Sequence, residues 1–364
     1  MPKVSFKNQQ TSFFSELKSD IDQFFIEKKI SSKGNLQLYL KTFLLITAAI
    51  GLYITLLTTD LASAYKLLFS GLLGFTLACI GFNVMHDACH GSYSSKKWVN
   101  DLFGYTLNAL GGNAFIWKFK HNIIHHTYTN VDGVDDDIAK SPLMRQCSTQ
   151  KWVPAHRFQH VYVLLVYAIS SFAWVAIMDF NKYFKQKVYT TALQQMDLKE
   201  HLIFWCSKLL YILFYIAIPV WYVGAANWAV GFMVMHLCMG FTLAIVFQLA
   251  HVVEETEFEY TAGDDLKIEN EWAVHQVKTT ANFSPRNPVL SWFLGGLNYQ
   301  IEHHLFPRIS HVHYPSISPI VQQKCKEYGL SYHSSPTLWT AVVSHFRMMK
   351  ELGRKPVIST GLIA

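Results

Sequence analysis

Five long apolar runs constrain the fold of this chain more than any other feature of its sequence. They contain a single Lys and no Arg, Asp or Glu, and they cover residues 42–58, 67–85, 161–178, 203–223 and 226–250. A helix that crosses the hydrocarbon core of a bilayer needs about 20 mostly apolar residues. Charged residues make up only 15% of the chain, whereas a soluble domain has about 25%. The sequence therefore predicts an all-α integral membrane protein.

The basic residues predict which segments face the cytosol. Their number is seven in 1–41, one in 59–66, twelve in 86–202, none in 224–227 and ten in 251–364. Because basic segments stay on the cytosolic side, four runs are expected to span the membrane as two hairpins, with 161–178 as an interfacial helix. The alternative is that 161–178 spans the membrane and the run that contains Lys208 does not.

This topology divides the chain into five segments. They are a cytosolic amphipathic N-terminal segment (1–41), a first transmembrane hairpin (42–85), a cytosolic segment (86–202), a second transmembrane hairpin (203–250) and a cytosolic C-terminal segment (251–364). In the first segment Phe13, Leu17, Ile21 and Phe25 recur at helical spacing. This pattern predicts a helix that lies on the membrane surface.

Histidines cluster at the predicted cytosolic ends of the spans. A further histidine, His251, lies at the end of the last run, and Gln300 precedes the last pair of the third cluster. The three clusters contain His86, His90, His121, His125, His126, His303 and His304. Histidines at i and i+4 on an α-helix share a face, so both rings can reach one metal ion. Eight imidazoles exceed the four ligands of a zinc site and predict two metal ions, with Fe, Zn and Cu all compatible. His236, within the last run, is instead predicted to be hydrogen-bonded packing.

The clusters resemble the histidine boxes of membrane fatty acid desaturases, which read H-x-x-x-H, H-x-x-x-H-H and Q-x-x-H-H. The flanks are similar too: HDACHGSYSSKKWVN at 86–100, HNIIHHTYTNVDGVDDD at 121–137, and HQVKTTANFS followed by GGLNYQIEHHLFP at 275–307. The Gln of the third box is typical of the front-end group, whose members insert a double bond between an existing one and the carboxyl end.

The resemblance implies a cytosolic helical domain with two non-haem iron ions bound by the eight histidines, and O₂ as co-substrate. Gln300 lies where some relatives place a further ligand. Two features depart from the family. Many front-end enzymes carry a fused cytochrome b5 domain with an H-P-G-G motif, which is absent here, and Phe247 replaces an Asn that holds a metal-bound water in some desaturases.

Three acidic residues and four aromatic ones near the boxes are further candidates. Asp135, Asp136 and Asp137 are predicted to orient ligating imidazoles, with a solvated acidic turn as the alternative. The candidate walls of an acyl tunnel are Phe115, Trp117, Trp292 and Phe293.

The expected function is therefore O₂-dependent desaturation of a fatty acyl chain, such as linoleoyl, carried on CoA, a carrier protein or a glycerolipid. Electrons are expected from a separate donor such as ferredoxin, or cytochrome b5 with its reductase, and no nucleic acid is involved. The active site and both termini are expected in the cytosol, at a bacterial inner membrane. The alternatives are a lipid hydroxylase on the same scaffold, a di-zinc hydrolase and a histidine-rich metal transporter. Transport sites, however, lie near the bilayer midplane.

Overall fold

The computed structural model describes residues 4–6, 12–138, 142–260 and 265–356, and helices dominate it. In chain order the helices are α1 (Phe13–Lys28), α2 (Leu36–Thr58), α3 (Ser63–His90), α4 (Lys97–Gly104), α5 (Thr106–Ala109), α6 (Ala114–Lys118), α7 (Pro154–Lys185), α8 (Leu198–Val223), α9 (Ala225–His251), α10 (Trp272–Thr279), α11 (Pro288–Phe293), α12 (Gln300–Leu305), α13 (Tyr314–Glu327) and α14 (Leu338–Leu352). Residues 1–3 and 7–11 of the N-terminal segment and residues 357–364 of the C-terminal segment lie outside the described residues.

Five of these helices, α2, α3, α7, α8 and α9, are long and apolar enough to cross a membrane. Each contains one of the five apolar runs, so the prediction of helical runs is confirmed. A left-handed Gly224 (φ 78°) separates α8 from α9, and this allows the chain to turn back within one residue.

Short strands of two or three residues accompany the helices, so the fold is mostly helical rather than helical throughout. They are β1 (Val4–Phe6), β2 (Val131–Asp132), β3 (Lys187–Val188), β4 (Thr191–Ala192), β5 (Glu259–Tyr260), β6 (Leu266–Ile268), β7 (Asn282–Phe283) and β8 (Ser334–Ser335). The pairs β1–β6, β2–β5 and β7–β8 are parallel, and β3–β4 is antiparallel. The β2–β5 pair joins the segment after the second histidine cluster to the segment after His251, so both are held near one another.

Helix α9 lies at the centre of the long helices because glycines allow close backbone contact on two sides. A Cβ on Gly74 of α3 would lie 2.1 Å from the Met235 carbonyl oxygen, and one on Gly240 would lie 2.4 Å from the Ala168 oxygen of α7. Small residues permit such approach between membrane helices. Larger residues at either position would push α3 or α7 away from α9.

Helix α7 is attached to the polar part of the molecule at both of its ends. Near its start, the Gln159 amide donates to the carbonyl oxygens of Arg145 (3.0 Å) and Met349 (2.8 Å). Near its end, Lys182 Nζ lies 2.6 Å from Asp136 Oδ2. Both ends of this apolar helix therefore contact segments outside the long helices, and its last turn contacts the acidic run after the second histidine cluster.

The N-terminal helix packs on the protein itself. Its apolar residues Phe13, Leu17 and Ile21 are at most 1% exposed and belong to one core cluster with Ile317 and Val321 of α13. The expectation that this face lies on the membrane surface is wrong. The amphipathic pattern is real, but α13 covers the apolar face.

Candidate metal centre

The structure brings all eight histidines of the sequence prediction together. His86 and His90 end α3, His251 ends α9, and the others come from α12 and from the turn that follows α6. All eight are buried, with side chains at most 8% exposed. Rings from separate elements touch: the centroids of His86 and His303 are 4.5 Å apart, and those of His125 and His251 are 4.8 Å apart.

The histidine nitrogens form two adjacent groups. One ligand atom from each of His86, His90, His121 and His303 lies within 4.8 Å of the others, and the same holds for His125, His251 and His304. His126 forms a further group with His303 and His304, so it lies where the two groups meet. This division matches two neighbouring metal positions better than a single one.

The second histidine cluster departs from the predicted α-helical geometry. Whereas His86 and His90 lie on an α-helical turn, residues Phe119–His125 form a π-helical turn. The His126 amide accordingly donates to the His121 carbonyl (3.0 Å), five residues earlier, and the two rings lie 4.7 Å apart. Such π-turns are frequent at functional sites. Here the wider turn directs His126 beside His121 rather than away from it.

Side-chain acceptors hold several of the rings by Nδ1. His125 Nδ1 lies 2.9 Å from Asp135 Oδ2, and His304 Nδ1 lies 2.8 Å from Gln276 Oε1. Because a carboxylate or amide oxygen only accepts, Nδ1 must carry the hydrogen in both rings. Their Nε2 lone pairs therefore point away, toward the other histidines, as metal-binding imidazoles require.

Several Nε2 atoms have no hydrogen-bond partner within the described parts of the chain. They belong to His90, His125, His303 and His304. Buried polar atoms in folded proteins are almost always hydrogen-bonded, so a group of such atoms directed at one another calls for a ligand. Metal ions fit these donors, because neutral imidazole nitrogen binds Fe, Zn and Cu.

The electrostatics keep the rings neutral. Burial first, and then the neighbouring imidazoles, hold the pKa values of His121, His126, His303 and His304 well below the ordinary range. A proton on any of them would compete with a metal ion for the same lone pair. The site thus favours the ligating form of histidine without a metal present.

The acidic run after the second cluster is buried, so the alternative prediction of a solvated acidic turn is wrong. Asp135 orients His125 as predicted. Asp136 instead pairs with Lys182 (2.6 Å). Asp137 pairs with Lys120 (2.7 Å), and its other oxygen lies 3.8 Å from His125 Nδ1. Two lysines therefore compensate two of the three carboxylates beside the site.

Phe247, which departs from the family pattern, and Gln300, which precedes the last histidine pair, both have defined contacts. The Phe247 ring packs against His125 (5.1 Å between centroids) and His251 (4.6 Å). Gln248, the nearest amide, accepts a hydrogen bond from Gln146 (2.7 Å) and is turned to that partner. Gln300 is buried at the start of α12, and its amide nitrogen donates to Leu297 (2.9 Å).

Among the four aromatic candidates, Trp117 lies against the histidines. Its ring stacks on His121 at 4.3 Å between centroids and meets the His86 ring edge at 5.7 Å. Trp292 and Phe293 instead contact each other, at 4.8 Å between ring centroids.

Two carboxylates inside the boxes were missed by the sequence reasoning. Asp87, between the histidines of the first box, accepts from Ser310 Oγ (2.6 Å) and contacts His311 Nδ1 (3.0 Å). Glu302, before His303, contacts the Tyr332 hydroxyl at 2.6 Å. Both carboxylates join a ligand-bearing helix to another part of the chain. A charged residue within an otherwise apolar, buried motif was the available signal.

The glycines before the third box place α12 close to α3. Gly295 and Gly296 have φ values of 59° and 66°, and a Cβ on Gly295 would lie 2.5 Å from the Phe82 carbonyl oxygen. Only glycine fits both the dihedral angle and the distance. This turn brings His303 within reach of His86.

Comparison with known proteins adds a family match and several relatives. A sequence profile described as fatty acid desaturase matches residues 61–336. The chain is 34% identical over 356 residues to the sn-1 linoleoyl-lipid 6-desaturase of Arthrospira platensis, which covers 97% of this chain and 96% of that protein. It is 33% identical over 352 residues to the sn-1 linoleoyl-lipid 6-desaturase of Synechocystis sp., covering 95% and 97%. Its identity to the acyl-lipid (8-3)-desaturase of Physcomitrium patens is 34% over 355 residues, covering 95% and 72%.

Proposed function

The chain belongs to the fatty acid desaturase family and desaturates lipid acyl chains in the front-end manner, and we propose that its eight buried histidines hold two non-haem iron ions for this reaction. The observation that carries the proposal is the convergence of unpartnered Nε2 atoms from separate elements. Since desaturation is an oxidation, a redox-active metal suits it better than zinc. The named relatives favour desaturation over the hydroxylase and transporter alternatives.

The reaction needs a strong oxidant because a mid-chain methylene is not acidic. When bound, iron activates O₂ for removal of hydrogen from such a carbon. One O₂, two electrons from a donor and two protons are consumed, two hydrogen atoms leave adjacent carbons of the acyl chain, and two water molecules form. Ferredoxin, or cytochrome b5 with its reductase, is the proposed donor.

The protein positions the ligands and excludes water. Asp135, Gln276 and Tyr314 hold the Nδ1 atoms of His125, His304 and His303, the last at 3.1 Å. The contacts with Asp135 and Gln276 fix the Nε2 lone pairs of His125 and His304 before a metal ion binds. The contact with Tyr314 fixes the orientation of the His303 ring, so little reorganisation is needed.

Two neighbouring side chains complete the site in this proposal. Phe247 occupies the place of a polar water-holding residue, and its ring covers His125 and His251. Gln300 is the proposed further oxygen ligand, since the hydrogen bond from its nitrogen to Leu297 leaves the amide oxygen to a metal.

The proposed substrate is a linoleoyl chain of a membrane lipid, with the new double bond on its carboxyl side. The relatives from Arthrospira platensis and Synechocystis sp. match nearly the whole chain, and both are named sn-1 linoleoyl-lipid 6-desaturases. The relative from Physcomitrium patens is named an acyl-lipid (8-3)-desaturase, so family membership alone does not fix where the new bond forms.

We place four helices across the membrane and α7 within one leaflet. The C-terminal ends of α3 and α9 meet in one histidine cluster, so they lie on the same side. Since α8 and α9 form a hairpin, α7 must begin and end on that side, and both of its ends contact segments outside the long helices. The excess of lysine and arginine supports a cytosolic location for this side, and the bacterial inner membrane is the membrane that we propose.

The proposal is tested by expressing the chain with a competent electron donor in a host fed linoleate, beside a strain with His303→Ala. We expect a new triene with the added bond nearer the carboxyl end in the first strain alone, and two iron ions per purified chain. A hydroxylated product, or a triene that persists in the His303→Ala strain, would overturn it.

A further inference from the structure

A polar cavity of about 650 Å³ opens directly onto the histidine cluster. His90 and His126 form part of its wall, together with Trp272 from α10. Its charged lining is mostly basic and comprises Lys33, Lys97, Lys118 and Arg308, with Asp101 as the one carboxylate among the lining residues. An anionic group would find favourable contacts in this cavity.

Two of the four cations are already compensated and two are not. Lys97 and Lys118 both contact Asp101, the latter at 3.9 Å. Within the described parts of the chain, neither Lys33 nor Arg308 pairs with a carboxylate. Lys33 Nζ donates to the backbone oxygens of Gly91 and Arg308, each at 3.0 Å, and these bonds hold it at the cavity.

An apolar groove of about 470 Å³ lies on the other side of α4. It runs between α2 and α4 and is lined by Tyr39, Thr42, Phe43, Ile46, Thr47, Tyr93, Val99 and Phe103. Helix α4 separates the two spaces, because Val99 and Phe103 face the groove whereas Asn100 and Asp101 face the cavity. Trp98 (65% exposed) and Leu102 (56%) give this helix an apolar outer surface suited to the membrane interface.

We propose that the cavity holds the phosphate-bearing head group of a diacyl glycerophospholipid, with Lys33 and Arg308 at its phosphate and the second acyl chain in the groove. The inference rests on the proposed function. In front-end desaturation only a few carbon atoms separate the reacting bond from the ester. The head group must therefore lie beside the histidines, where this polar cavity lies.

Other carriers of the acyl chain fit these features less well. Acyl-CoA and acyl carrier protein also bring phosphate, but each presents a single acyl chain and leaves the groove without an occupant. A neutral sugar head group would not compensate Lys33 and Arg308. A two-chain lipid with a phosphate supplies an occupant for both the polar cavity and the apolar groove.

The test measures direct binding to purified, delipidated full-length chain loaded with iron. The probes are dilinoleoyl phosphatidylglycerol, dilinoleoyl monogalactosyl diacylglycerol, 1-linoleoyl lysophosphatidylglycerol and linoleoyl-CoA. The variant Lys33→Gln/Arg308→Gln removes both uncompensated charges. Its matched control, Lys96→Gln/Lys350→Gln, removes two exposed charges that do not line the cavity.

We expect the native chain to bind phosphatidylglycerol more tightly than the galactolipid and linoleoyl-CoA. Loss of Lys33 and Arg308 should weaken phosphatidylglycerol binding about tenfold, the equivalent of one charge-assisted hydrogen bond. Galactolipid binding should not change, and the control should behave as the native chain. Thr47→Trp, which fills the groove, should weaken binding of the two-chain phospholipid and spare the lysolipid.

Equal affinity for the galactolipid, preference for linoleoyl-CoA, or an effect of the control pair as large as that of the cavity pair would overturn the inference. Iron content identifies a misfolded variant, and Arg308→Lys, which keeps the charge, must retain binding. If the chain desaturates a galactolipid or a CoA ester instead, the proposed function survives and this inference fails.

Discussion

Two groups of buried polar residues lie among the apolar helices, and they differ in what their nitrogen atoms contact. In the histidine cluster, the Nε2 atoms of His125 and His304 have no hydrogen-bond partner among the described residues. In the middle of the long helices, His236 Nδ1 lies 2.9 Å from Ser171 Oγ and Nε2 lies 2.6 Å from the Tyr211 hydroxyl. Both groups are equally buried, so burial alone does not distinguish them.

This difference indicates that the role of a buried histidine depends on what its second ring nitrogen contacts. A satisfied pair of nitrogens indicates packing, and the prediction that His236 is hydrogen-bonded packing is confirmed. A ring held by Nδ1 with its Nε2 directed at other rings indicates a ligand. Leaving such atoms unpaired costs free energy, which a bound metal ion offsets.

The most direct way to break this comparison is to remove one histidine from each group. His125→Ala should abolish iron binding at its group and lower turnover by more than about 1,000-fold, since the metal supplies the oxidant. His236→Ala should keep two iron ions and most activity while losing about 1–3 kcal/mol of stability, because a buried hydroxyl loses its partner. Metal analysis, product formation and thermal unfolding in detergent measure these effects.

If His236→Ala also lost iron while remaining folded, the distinction between the two groups would collapse. His236→Gln is the matched milder variant. It retains a donor and an acceptor and should recover part of the lost stability.

The buried ion pair near His236 provides a second test, because its loss should change the stability of the protein and not its iron content. Lys208 is 4% exposed, and its Nζ contacts Asp179 (3.2 Å) and the Gly111 carbonyl (2.6 Å). Lys208→Met leaves a buried carboxylate unpaired and should cost about 3–5 kcal/mol. Lys208→Met/Asp179→Leu should restore much of this loss. Thermal unfolding measures both, and iron per folded chain should remain that of the native protein.

A smaller effect is expected from the carboxylates beside the second box. Asp135→Asn removes the charge that holds His125 and should weaken iron binding about 10- to 100-fold. Asp136→Asn is the matched control, because Asp136 pairs with Lys182 rather than with a histidine. It should lower stability and leave iron affinity unchanged. Chelator competition followed by metal analysis separates the two outcomes, and similar iron loss in both variants would contradict the assignment.

Much of this arrangement was accessible from the sequence because it depends on local periodicity and on motif spacing. The apolar runs located all five long helices and, at the end of the last run, His251, and the boxes located the other seven histidines. The π-helical turn was not predictable, because His121, His125 and His126 satisfy the α-helical spacing equally well. Its wider geometry comes from tertiary packing rather than from local preference.

Contacts between residues that are distant in the sequence were the other feature that the sequence did not predict. Gln276 lies 28 residues before His304, and nothing in its neighbours indicates that its amide oxygen meets that ring. The N-terminal helix shows the same limit. Its apolar face with Phe13 and Leu17 was correctly identified, but periodicity does not say whether a membrane or α13 covers it.

The smallest effect concerns a third kind of buried histidine, which is satisfied but lies outside the long helices. His345 Nδ1 contacts the Val252 carbonyl (2.7 Å) and its Nε2 contacts the Tyr167 hydroxyl (2.9 Å). Burial lowers the pKa of His345 to about 4, although the carbonyl contact opposes this. The unfolded chain, with a histidine pKa of about 6.5, binds this proton first.

Stability should therefore fall as the pH drops through 6.5, and the contribution of His345 to this fall should end near pH 4. His345→Gln keeps a donor and an acceptor but does not titrate. Between pH 7.5 and 5.5 it should lose about 1 kcal/mol less stability than the native chain. Thermal unfolding at the two pH values gives the difference. Equal losses would mean that His345 is protonated in the folded protein, and that two occupied nitrogens do not keep a buried histidine neutral.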